Sequence, residues 1–492
     1  MDSRLVNRLL AKLTIAFSCI LLVPLIAALL ADRDHIWIFI FTLITTSTIA
    51  SLFNLFGSRR PRQRLRVREA IAVVGCGWLL VCLMGALPYL FLNPADPIAA
   101  VFESVSGFST TGVTTALSFN DFPPSIRVWR CLTHWTGGIG VIMLFIIIMP
   151  QMNSGTSYLF NAELPGGTAE RTLPKIKESA MMILLIYVIL TAVEVALLLL
   201  AGLPIFQAMN LALATMATGG FSYYHDSLIS FRSVYVEIIA IVFMLIASMN
   251  FSLYYKIWRG DWSSVRQDSE HRYYLLILTT AAALICGNLY FSGYMDFNGA
   301  LRHSIFQAVS IGSTTGYASD DYNNWPSFSR SVLLMLMFIG GCSGSTAGGI
   351  KITRLVILLK AGWAELLRTL HPRIVYSIRM GEREINPIIV GNITRFFFLY
   401  ILVFIVLTIL ISLSGIPIME SMGLIAACMS SVGPAFGIVG PTSTYNCLSD
   451  WARFISIWAM ILGRLEILRC WLSCARIFGA ISRTGNGRRY RR

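Results

Sequence analysis

Long hydrophobic segments recur along the whole chain and are separated by short polar loops. Most of them are close to 20 residues long, which is the length that an α-helix needs to cross roughly 30 Å of hydrocarbon. The segments cover residues 13–31, 36–56, 70–93, 137–149 with its preceding flank, 180–203, 234–254, 274–291, 332–359, 396–413 and 452–468. This pattern predicts an all-α polytopic membrane protein.

Four shorter apolar stretches lie between these segments, and each leads into a motif of small residues. The stretches cover residues 97–109, 204–217, 299–313 and 416–430. They are too short to cross a bilayer, so we expect re-entrant segments. The motifs are FESVSGFSTTGV at 102–113, ATMATGGF at 214–221, FQAVSIGSTTGY at 306–317 and, more weakly, ACMSSVGP at 427–434.

Alignment on the last glycine of each motif pairs Gly112, Gly220, Gly316 and Gly433, at intervals of 108, 96 and 117 residues. One motif alone is typical of an ordinary turn, but irregular backbone at membrane depth survives only inside protein or beside water. We therefore predict four pseudo-symmetric span–pore-loop–span repeats around one ion pore, plus two extra N-terminal transmembrane helices. The predicted boundaries are 1–57 for the N-terminal helices, 70–150, 179–256, 274–360 and 395–475 for the repeats, and 476–492 for a basic tail.

The motif chemistry suits a selectivity filter for a dehydrated cation. Four extended loops around one axis can direct backbone carbonyl groups inward, where they replace the hydration shell of the ion. Glycine permits the necessary backbone turn, and the C-terminal end of each short helix adds partial negative charge. The predicted filter residues are Thr110, Thr111, Gly112, Thr218, Gly219, Gly220, Thr314, Thr315, Gly316, Ser431, Val432 and Gly433.

The chain has a formal net charge of +14, although only 13% of its residues are charged and 56% are hydrophobic. Basic residues concentrate before the first segment, at 59–68, 256–272 and 351–383, and in the tail. The positive-inside rule therefore places both termini in the cytoplasm. Orientation in the membrane accounts for the basic charge, so we expect lipid as a partner and no nucleic acid. The ten cysteines contain no C-x-x-C pair, the six histidines do not cluster, and no nucleotide-binding motif is present, so we expect no cofactor in this chain.

Several further stretches carry a resemblance to a known family. They are HWTGGIGVIML at 134–144, AELPG at 162–166, NFSLYY at 250–255, GGCSGSTAGGIKITRL at 340–355, HPRIVYSIRM at 371–380 and GRLEI at 463–467. Together with the filter motifs, they resemble the Trk/Ktr/HKT superfamily of potassium transporters over residues 8–467, and most closely its bacterial TrkH branch.

The resemblance implies potassium uptake across the bacterial inner membrane, with K⁺ as the only bound metal ion. It also implies a homodimer and a peripheral cytoplasmic subunit resembling TrkA, so that any nucleotide binds the partner. In plant members that prefer sodium, the first filter glycine is commonly serine, so Gly112 favours potassium. Gly219 stands where the other motifs have Thr or Val, which predicts a looser filter in repeat 2.

The glycine-rich stretch at 340–349 resembles the family's intramembrane loop, which lies under the filter and gates conduction. Its five glycines disfavour a helix, because each costs about 1 kcal/mol relative to alanine. Close packing of small residues is the alternative. Arg464 matches a positive residue of the family that opposes a passing K⁺, whereas an ion pair with Glu466 or snorkelling is the alternative. The predicted gate residues are Gly340, Gly341, Cys342, Ser343, Gly344, Ser345, Thr346, Ala347, Gly348, Gly349, Lys351 and Arg464.

Two regions outside these motifs carry further expectations. Asp226, Asp320 and Asp321 follow filter glycines, and they either concentrate cations at the outer mouth or are solvated loop charges. After Ile467 the sequence departs from the apolar ending of the family. One choice of codons for residues 468–480 gives such an ending after a single-base shift, so we interpret the tail as the product of a frameshift.

Two other functions match parts of the sequence. GCSG at 341–344 resembles a serine-protease nucleophile motif, but such a site needs a histidine on a later span. The only later histidine, His371, lies in a basic loop. An ion-coupled transporter of organic solutes is the other alternative, although those folds favour inverted repeats.

Replacement of Gly112 or Gly316 by serine should reduce discrimination between K⁺ and Na⁺, because a side chain disturbs the ring of carbonyl groups. The flux of both ions per folded molecule measures the effect. Unchanged selectivity in both variants would contradict the filter assignment.

Overall fold

The computed structural model describes residues 3–57, 67–116, 119, 122–148, 173–224, 226–371, 377–381 and 383–464. Within these ranges the regular structure is helical, apart from one hairpin in which Arg379–Met380 pairs antiparallel with Arg383–Glu384. Six of the described helices are long and apolar enough to cross a membrane, or seven if one bent pair counts as a single span. The predicted class, an all-α polytopic membrane protein, is confirmed.

Three helices precede the repeats: α1 (Ser3–Ile20), α2 (Leu22–Ala31) and α3 (Ile36–Leu55). Each repeat then contains a first span, a short helix, a loop with the glycine motif, and a second span. In repeat 1 the helices are α4 (Val67–Leu92), α5 (Pro97–Phe108) and α6 (Pro124–Ile148). In repeat 2 they are α7 (Leu173–Leu200), α8 (Ile205–Met216) and a divided second span, α9 (Val234–Ser248) and α10 (Phe251–Trp258).

The second half of the chain has the same arrangement. A short helix, α11 (Trp262–Gln267), connects repeats 2 and 3. Repeat 3 contains α12 (Ser269–Phe291), α13 (Phe297–Gly312), α14 (Ser327–Phe338) and α15 (Ile352–Leu370). Repeat 4 contains α16 (Pro387–Ser412), α17 (Ile418–Ser430) and α18 (Asp450–Arg464).

The local sequence explains where the short helices begin. Asp96 and Asp296 accept hydrogen bonds from backbone N–H groups three residues further on, at 2.8 and 3.3 Å, which satisfies free donors in the first turns of α5 and α13. Pro204 and Pro417 precede α8 and α17. Proline cannot donate to a preceding turn, so it favours a helix start at this place.

The repeats close into a ring through equivalent helix contacts. In every repeat both spans pack on the short helix of the same repeat. Each second span also packs on the short helix of the next repeat: α6 on α8, α9 on α13, α14 on α17 and α18 on α5. The last contact joins repeat 4 to repeat 1, so the short helices surround one axis. The N-terminal helices lie outside this ring, where α1 and α3 pack on α4, and α1 and α2 pack on α6.

Two of the second spans are interrupted. α9 and α10 meet at an angle of 93°, so the predicted segment 234–254 is not one straight helix. Asn250 begins α10 by accepting a hydrogen bond from the backbone N–H of Ser252 at 2.9 Å. In repeat 3, residues 339–351 separate α14 from α15. This interruption contains the glycine-rich stretch that the sequence predicts to be a loop.

The spans expose apolar side chains on the outside and approach each other closely on the inside. Ile44, Phe398 and Ile409 lie on spans and are all more than half exposed, as expected for contact with lipid. Inside, a Cβ added at Gly137 in α6 would lie 2.3 Å from the carbonyl oxygen of Phe108 at the end of α5. Small residues of this kind allow helices to associate in membranes, where no hydrophobic effect drives them together.

Replacement of Gly137 by alanine should lower the free energy of unfolding by about 1–3 kcal/mol, because the added methyl group overpacks the contact between α5 and α6. The matched control is Gly362→Ala in α15, where an added Cβ meets no atom within 4 Å. Thermal unfolding of both purified variants in detergent measures the effect. If Gly137→Ala were as stable as the control, α5 and α6 would be able to move apart at this contact without a loss of stability.

Candidate ion-conduction site

The four motif glycines meet in a ring. All have positive φ, with values of 83°, 74°, 81° and 99° at Gly112, Gly220, Gly316 and Gly433. A Cβ added at these positions would lie 1.9, 2.0, 1.8 and 2.4 Å from a carbonyl oxygen of the following repeat, namely that of Gly219, Thr315, Val432 and Thr111, respectively. The series ends where it begins, so the four loops follow each other around one axis in chain order.

The backbone has the same conformation in all four loops. The residues two positions before the glycines also have positive φ, between 51° and 60°; they are Thr110, Thr218, Thr314 and Ser431. The residue between donates its N–H to the carbonyl group five residues earlier, at 2.9–3.0 Å in every repeat. Alternation of positive and negative φ allows successive carbonyl groups to face the same side, as an ion filter requires.

The side chains behind the ring follow a twofold pattern instead. In repeats 1 and 3 the middle threonine shares a hydrogen bond with a serine two residues earlier, Ser109 with Thr111 at 2.7 Å and Ser313 with Thr315 at 2.8 Å. A second serine in each of these repeats donates to the carbonyl group after the glycine, at 2.6 Å in both. These hydroxyl groups hold the two loops from inside their own repeats.

Repeats 2 and 4 do not have this arrangement. The middle residues are Gly219 and Val432, and alanine replaces the second serine at Ala214 and Ala427. Both loops nevertheless keep the backbone hydrogen bond described above, because it involves no side chain. The backbone is therefore fourfold, while its side-chain support alternates around the ring.

A cavity that is partly open to its surroundings lies on one side of the ring and is lined by three of the motif glycines and by residues that follow the motifs. Buried Glu103 holds this side together. Its Oε1 accepts hydrogen bonds from Thr114 Oγ1 and from the N–H of Thr115, both at 2.6 Å, and its Oε2 lies 3.5 Å from Arg130 Nε. Sequence reasoning missed this pair, although charged residues within apolar helices are signals of functional positions.

Two of the aspartates that follow the filter motifs have structural partners that the sequence did not reveal. Asp320 accepts a hydrogen bond from the indole N–H of Trp325 at 2.6 Å. Asp321 accepts one from the backbone N–H of Asn323 at 3.1 Å. In repeat 4, Tyr445 donates its hydroxyl to the carbonyl oxygen of Gly433 at 2.9 Å, which fixes the last motif from the cavity side.

The glycine-rich loop is hydrogen bonded to the interrupted span of repeat 2. The N–H of Cys342 donates to the carbonyl oxygen of Ser248 at 2.9 Å, and the N–H of Phe251 donates to that of Gly344 at 3.2 Å. The bend between α9 and α10 leaves backbone groups without helical partners, and each buried group of this kind needs another partner. The glycine-rich loop and the bend therefore supply hydrogen-bond partners for each other's backbone groups.

Glu270 in the first turn of α12 connects the glycine-rich loop to the first turn of α15. Its Oε1 accepts hydrogen bonds from the N–H of Ser343 at 2.6 Å and from the N–H of Thr353 at 3.3 Å. The side chain is buried. A carboxylate that accepts backbone hydrogen bonds in such a place binds more strongly than a neutral acceptor.

The tip of the loop lies against the ring, on the side away from the cavity. The N–H of Gly348 donates to Thr314 Oγ1 at 2.8 Å, and Thr218 Oγ1 lies 3.3 Å from Thr346 Oγ1. A Cβ added at Gly348 would lie 2.3 Å from the carbonyl oxygen of Ser430. The loop tip thus contacts residues at the start of the filter motifs in repeats 2, 3 and 4.

Two cationic side chains donate to carbonyl groups of this tip. Lys351 Nζ contacts the carbonyl oxygen of Ala347. Arg464 Nη1 donates to the carbonyl oxygen of Thr346 at 3.1 Å, and its Nη2 donates to that of Gly137 at 2.8 Å. Arg464 therefore connects the loop to α6.

All twelve predicted filter residues lie in the ring, and all twelve predicted gate residues lie in the loop or donate to it. Glu466, the alternative partner of Arg464, lies outside the described residues, as do the AELPG stretch and the tail 476–492. A ring of non-helical loops enclosed by a bundle of spans is the architecture of a membrane transport protein.

Comparison with known proteins gives the family. A sequence model of the TrkH family, described as cation transport protein, matches residues 38–478. The Trk system potassium uptake protein TrkH of Halomonas elongata is 32% identical over 95% of this chain and 97% of its own length. TrkH of Escherichia coli K12 is 34% identical with the same coverage of both chains. The crystal structure of the potassium transporter TrkH from Vibrio parahaemolyticus matches with a TM-score of 0.86 at 30% identity, over 96% of this chain and 98% of that one. The chain belongs to the TrkH family.

Replacement of Glu270 by glutamine should accelerate amide hydrogen exchange in residues 341–353 by about tenfold, because a neutral acceptor holds the loop less firmly than a carboxylate. Exchange measured by mass spectrometry on the purified protein reports it. The matched control is Glu365→Gln, since the side chain of Glu365 is 74% exposed and its hydrogen bond to Arg368 is 3.4 Å long. Equal exchange in both variants would show that Glu270 does not hold the loop.

Proposed function

We propose that this chain takes up potassium across the bacterial inner membrane through a channel-like filter. The observation that supports this most strongly is the closed ring of glycines with positive φ, each against a carbonyl group of the next repeat. The relatives from Halomonas and Escherichia are named potassium uptake proteins, and the Vibrio structure is that of a potassium transporter. The chain is accordingly a transporter rather than an enzyme.

In this proposal the carbonyl groups of the four motifs bind K⁺ in place of water. The filter residues are those of the ring, at 110–112, 218–220, 314–316 and 431–433. Four short helices end just before these motifs, and their C-terminal ends carry partial negative charge that favours a cation. The serine–threonine pairs of repeats 1 and 3 limit movement of the loops, which keeps the spacing of the carbonyl groups suited to one ion.

We further propose that residues 340–349 are a gate below this filter. The contacts of Thr346 and Gly348 with the ring support this proposal, because an ion that leaves the filter on this side would meet the loop tip. Lys351 and Arg464 donate to the same tip, so an ion must pass both a backbone obstruction and positive charge. Displacement of the loop, with release of these hydrogen bonds, opens the path.

The proposal extends to partners and orientation. Both termini lie in the cytoplasm, on the basis of the positive-inside rule. The chain forms a homodimer, and a peripheral cytoplasmic subunit resembling TrkA binds the regulatory nucleotide, on the basis of the family resemblance. K⁺ is the ion that this chain itself binds and transports.

The two alternative functions receive no support from the site. The hydroxyl of Ser343 lies 3.3 Å from Thr353 Oγ1, and no histidine is among its hydrogen-bond partners in the described residues. A nucleophilic serine needs an adjacent base. Transporters of organic solutes favour inverted repeats, whereas these four repeats follow each other around one axis in the same sense.

Uptake of radioactive rubidium into vesicles that contain the purified protein tests the proposal. We expect uptake that K⁺ inhibits more strongly than Na⁺ and that organic solutes do not inhibit. Growth of a potassium-uptake-deficient bacterium at low K⁺ provides an independent measurement.

Vesicles without protein are the negative control, and Gly362→Ala, whose added methyl group contacts nothing, is the matched positive control. The function is disproved if the folded protein neither takes up rubidium in vesicles nor supports growth at low K⁺.

Replacement of Arg464 by alanine should raise K⁺ flux per folded molecule. At an effective dielectric constant near 20 and a separation of about 8 Å, the charge opposes K⁺ by roughly 2 kcal/mol, or about thirtyfold in rate. Arg464→Lys keeps the charge and should behave nearly as the parent. A lower flux per folded molecule in the alanine variant would show that Arg464 is only a structural link between the loop and α6.

A further inference from the structure

Gly219 must be glycine for a different reason from the four glycines that end the motifs. Its φ is not positive, unlike that of Gly220 beside it, so the backbone conformation admits a side chain. The other repeats indeed have threonine or valine at this position. The reason for glycine must therefore lie in the surroundings of the residue.

The imidazole ring of His134 occupies the space where a side chain at position 219 would lie. An added Cβ would be 2.5 Å from Nδ1, 2.8 Å from Cε1 and 2.9 Å from Cγ of that ring. Real Cβ atoms do not approach other atoms below 3.0 Å. The absence of a side chain at Gly219 leaves no gap in repeat 2, because a ring from α6 of repeat 1 fills the place.

This ring is itself firmly held. It stacks on Phe221 with a centroid distance of 3.7 Å and an interplanar angle of 7°. The guanidinium carbon of Arg130 lies 3.8 Å from the centroid of the same phenylalanine, and Arg130 is paired with Glu103. His134, Phe221 and Arg130 are all buried. Such a packed cluster can limit the movement of a neighbouring backbone through close packing alone.

We propose that His134 is a positioning residue that determines ion selectivity through the carbonyl group of Gly219. That carbonyl group also faces Gly112 of repeat 1, since a Cβ at Gly112 would lie 1.9 Å from its oxygen. Residue 219 is thus confined on two sides, by the imidazole ring at its Cα and by Gly112 at its carbonyl oxygen. The inference rests on the proposed K⁺ filter and assigns to His134 the task that Thr111 and Thr315 perform in their own repeats.

A double-mutant cycle with Gly219→Ala and His134→Ala tests this assignment. The readout is the ratio of Na⁺ to K⁺ concentrations that halve rubidium uptake, per folded molecule. Each single variant should reduce this ratio by about tenfold, one by overpacking and the other by leaving a void behind the carbonyl group. In the double variant this ratio should be at least about fivefold higher than in Gly219→Ala, because the imidazole ring no longer obstructs the methyl group.

Gly220→Ala is the matched control, one residue further on. Its added Cβ would lie 2.0 Å from the carbonyl oxygen of Thr315, and its φ is 74°, so the loss of selectivity should be the same with and without His134→Ala. A normal ratio in Gly219→Ala, or a double variant no better than that single one, overturns the assignment. Absence of rubidium uptake in the parent would instead refute the proposed function.

Discussion

The close approach of each motif glycine to a carbonyl group of the next repeat is the constraint on which the rest of the structure depends. At Cβ distances of 1.8–2.4 Å no side chain fits, and the positive φ independently favours glycine. Such backbone can exist at membrane depth only if protein or a water-filled cavity, rather than lipid, surrounds it. The second spans supply that enclosure, because each one packs on two neighbouring short helices and so carries the ring from one repeat to the next.

Within this ring the backbone hydrogen bonds are the same in all four repeats, whereas the side chains that support them differ. The hydrogen bond from the middle residue to the carbonyl group five positions earlier occurs in all four repeats, since any amino acid except proline can make it. The side-chain support differs between repeats. Repeats 1 and 3 use their own serine and threonine hydroxyl groups, repeat 2 is packed against the imidazole ring of His134 from α6, and repeat 4 has valine. A similar exchange joins the glycine-rich loop to the bend between α9 and α10, where each interruption supplies the hydrogen bonds that the other lacks.

Sequence reasoning predicted those parts that depend on local chemistry. Hydrophobic length gave the spans, and the positions of Gly112, Gly220, Gly316 and Gly433 gave the fourfold order. It did not predict the bend after Ser248, because it treated residues 234–254 as one apolar span and the bend is stabilised by Cys342, almost a hundred residues away. It interpreted Gly219 as a loosening of repeat 2, because nothing in one motif shows which distant residue fills a neighbouring space.

The contact between α18 and α5 has a consequence for synthesis of the protein. The short helix of repeat 1 ends at Phe108, but the helix that closes the ring around it begins only at Asp450. At 5–20 residues per second, a ribosome needs roughly 20–70 s to make the intervening chain. During this time the first glycine motif has no neighbour on one side, and its polar backbone faces the membrane interior incompletely covered. The ring therefore stays open on one flank until the last described helix packs on the first short helix, and slower synthesis prolongs that open state.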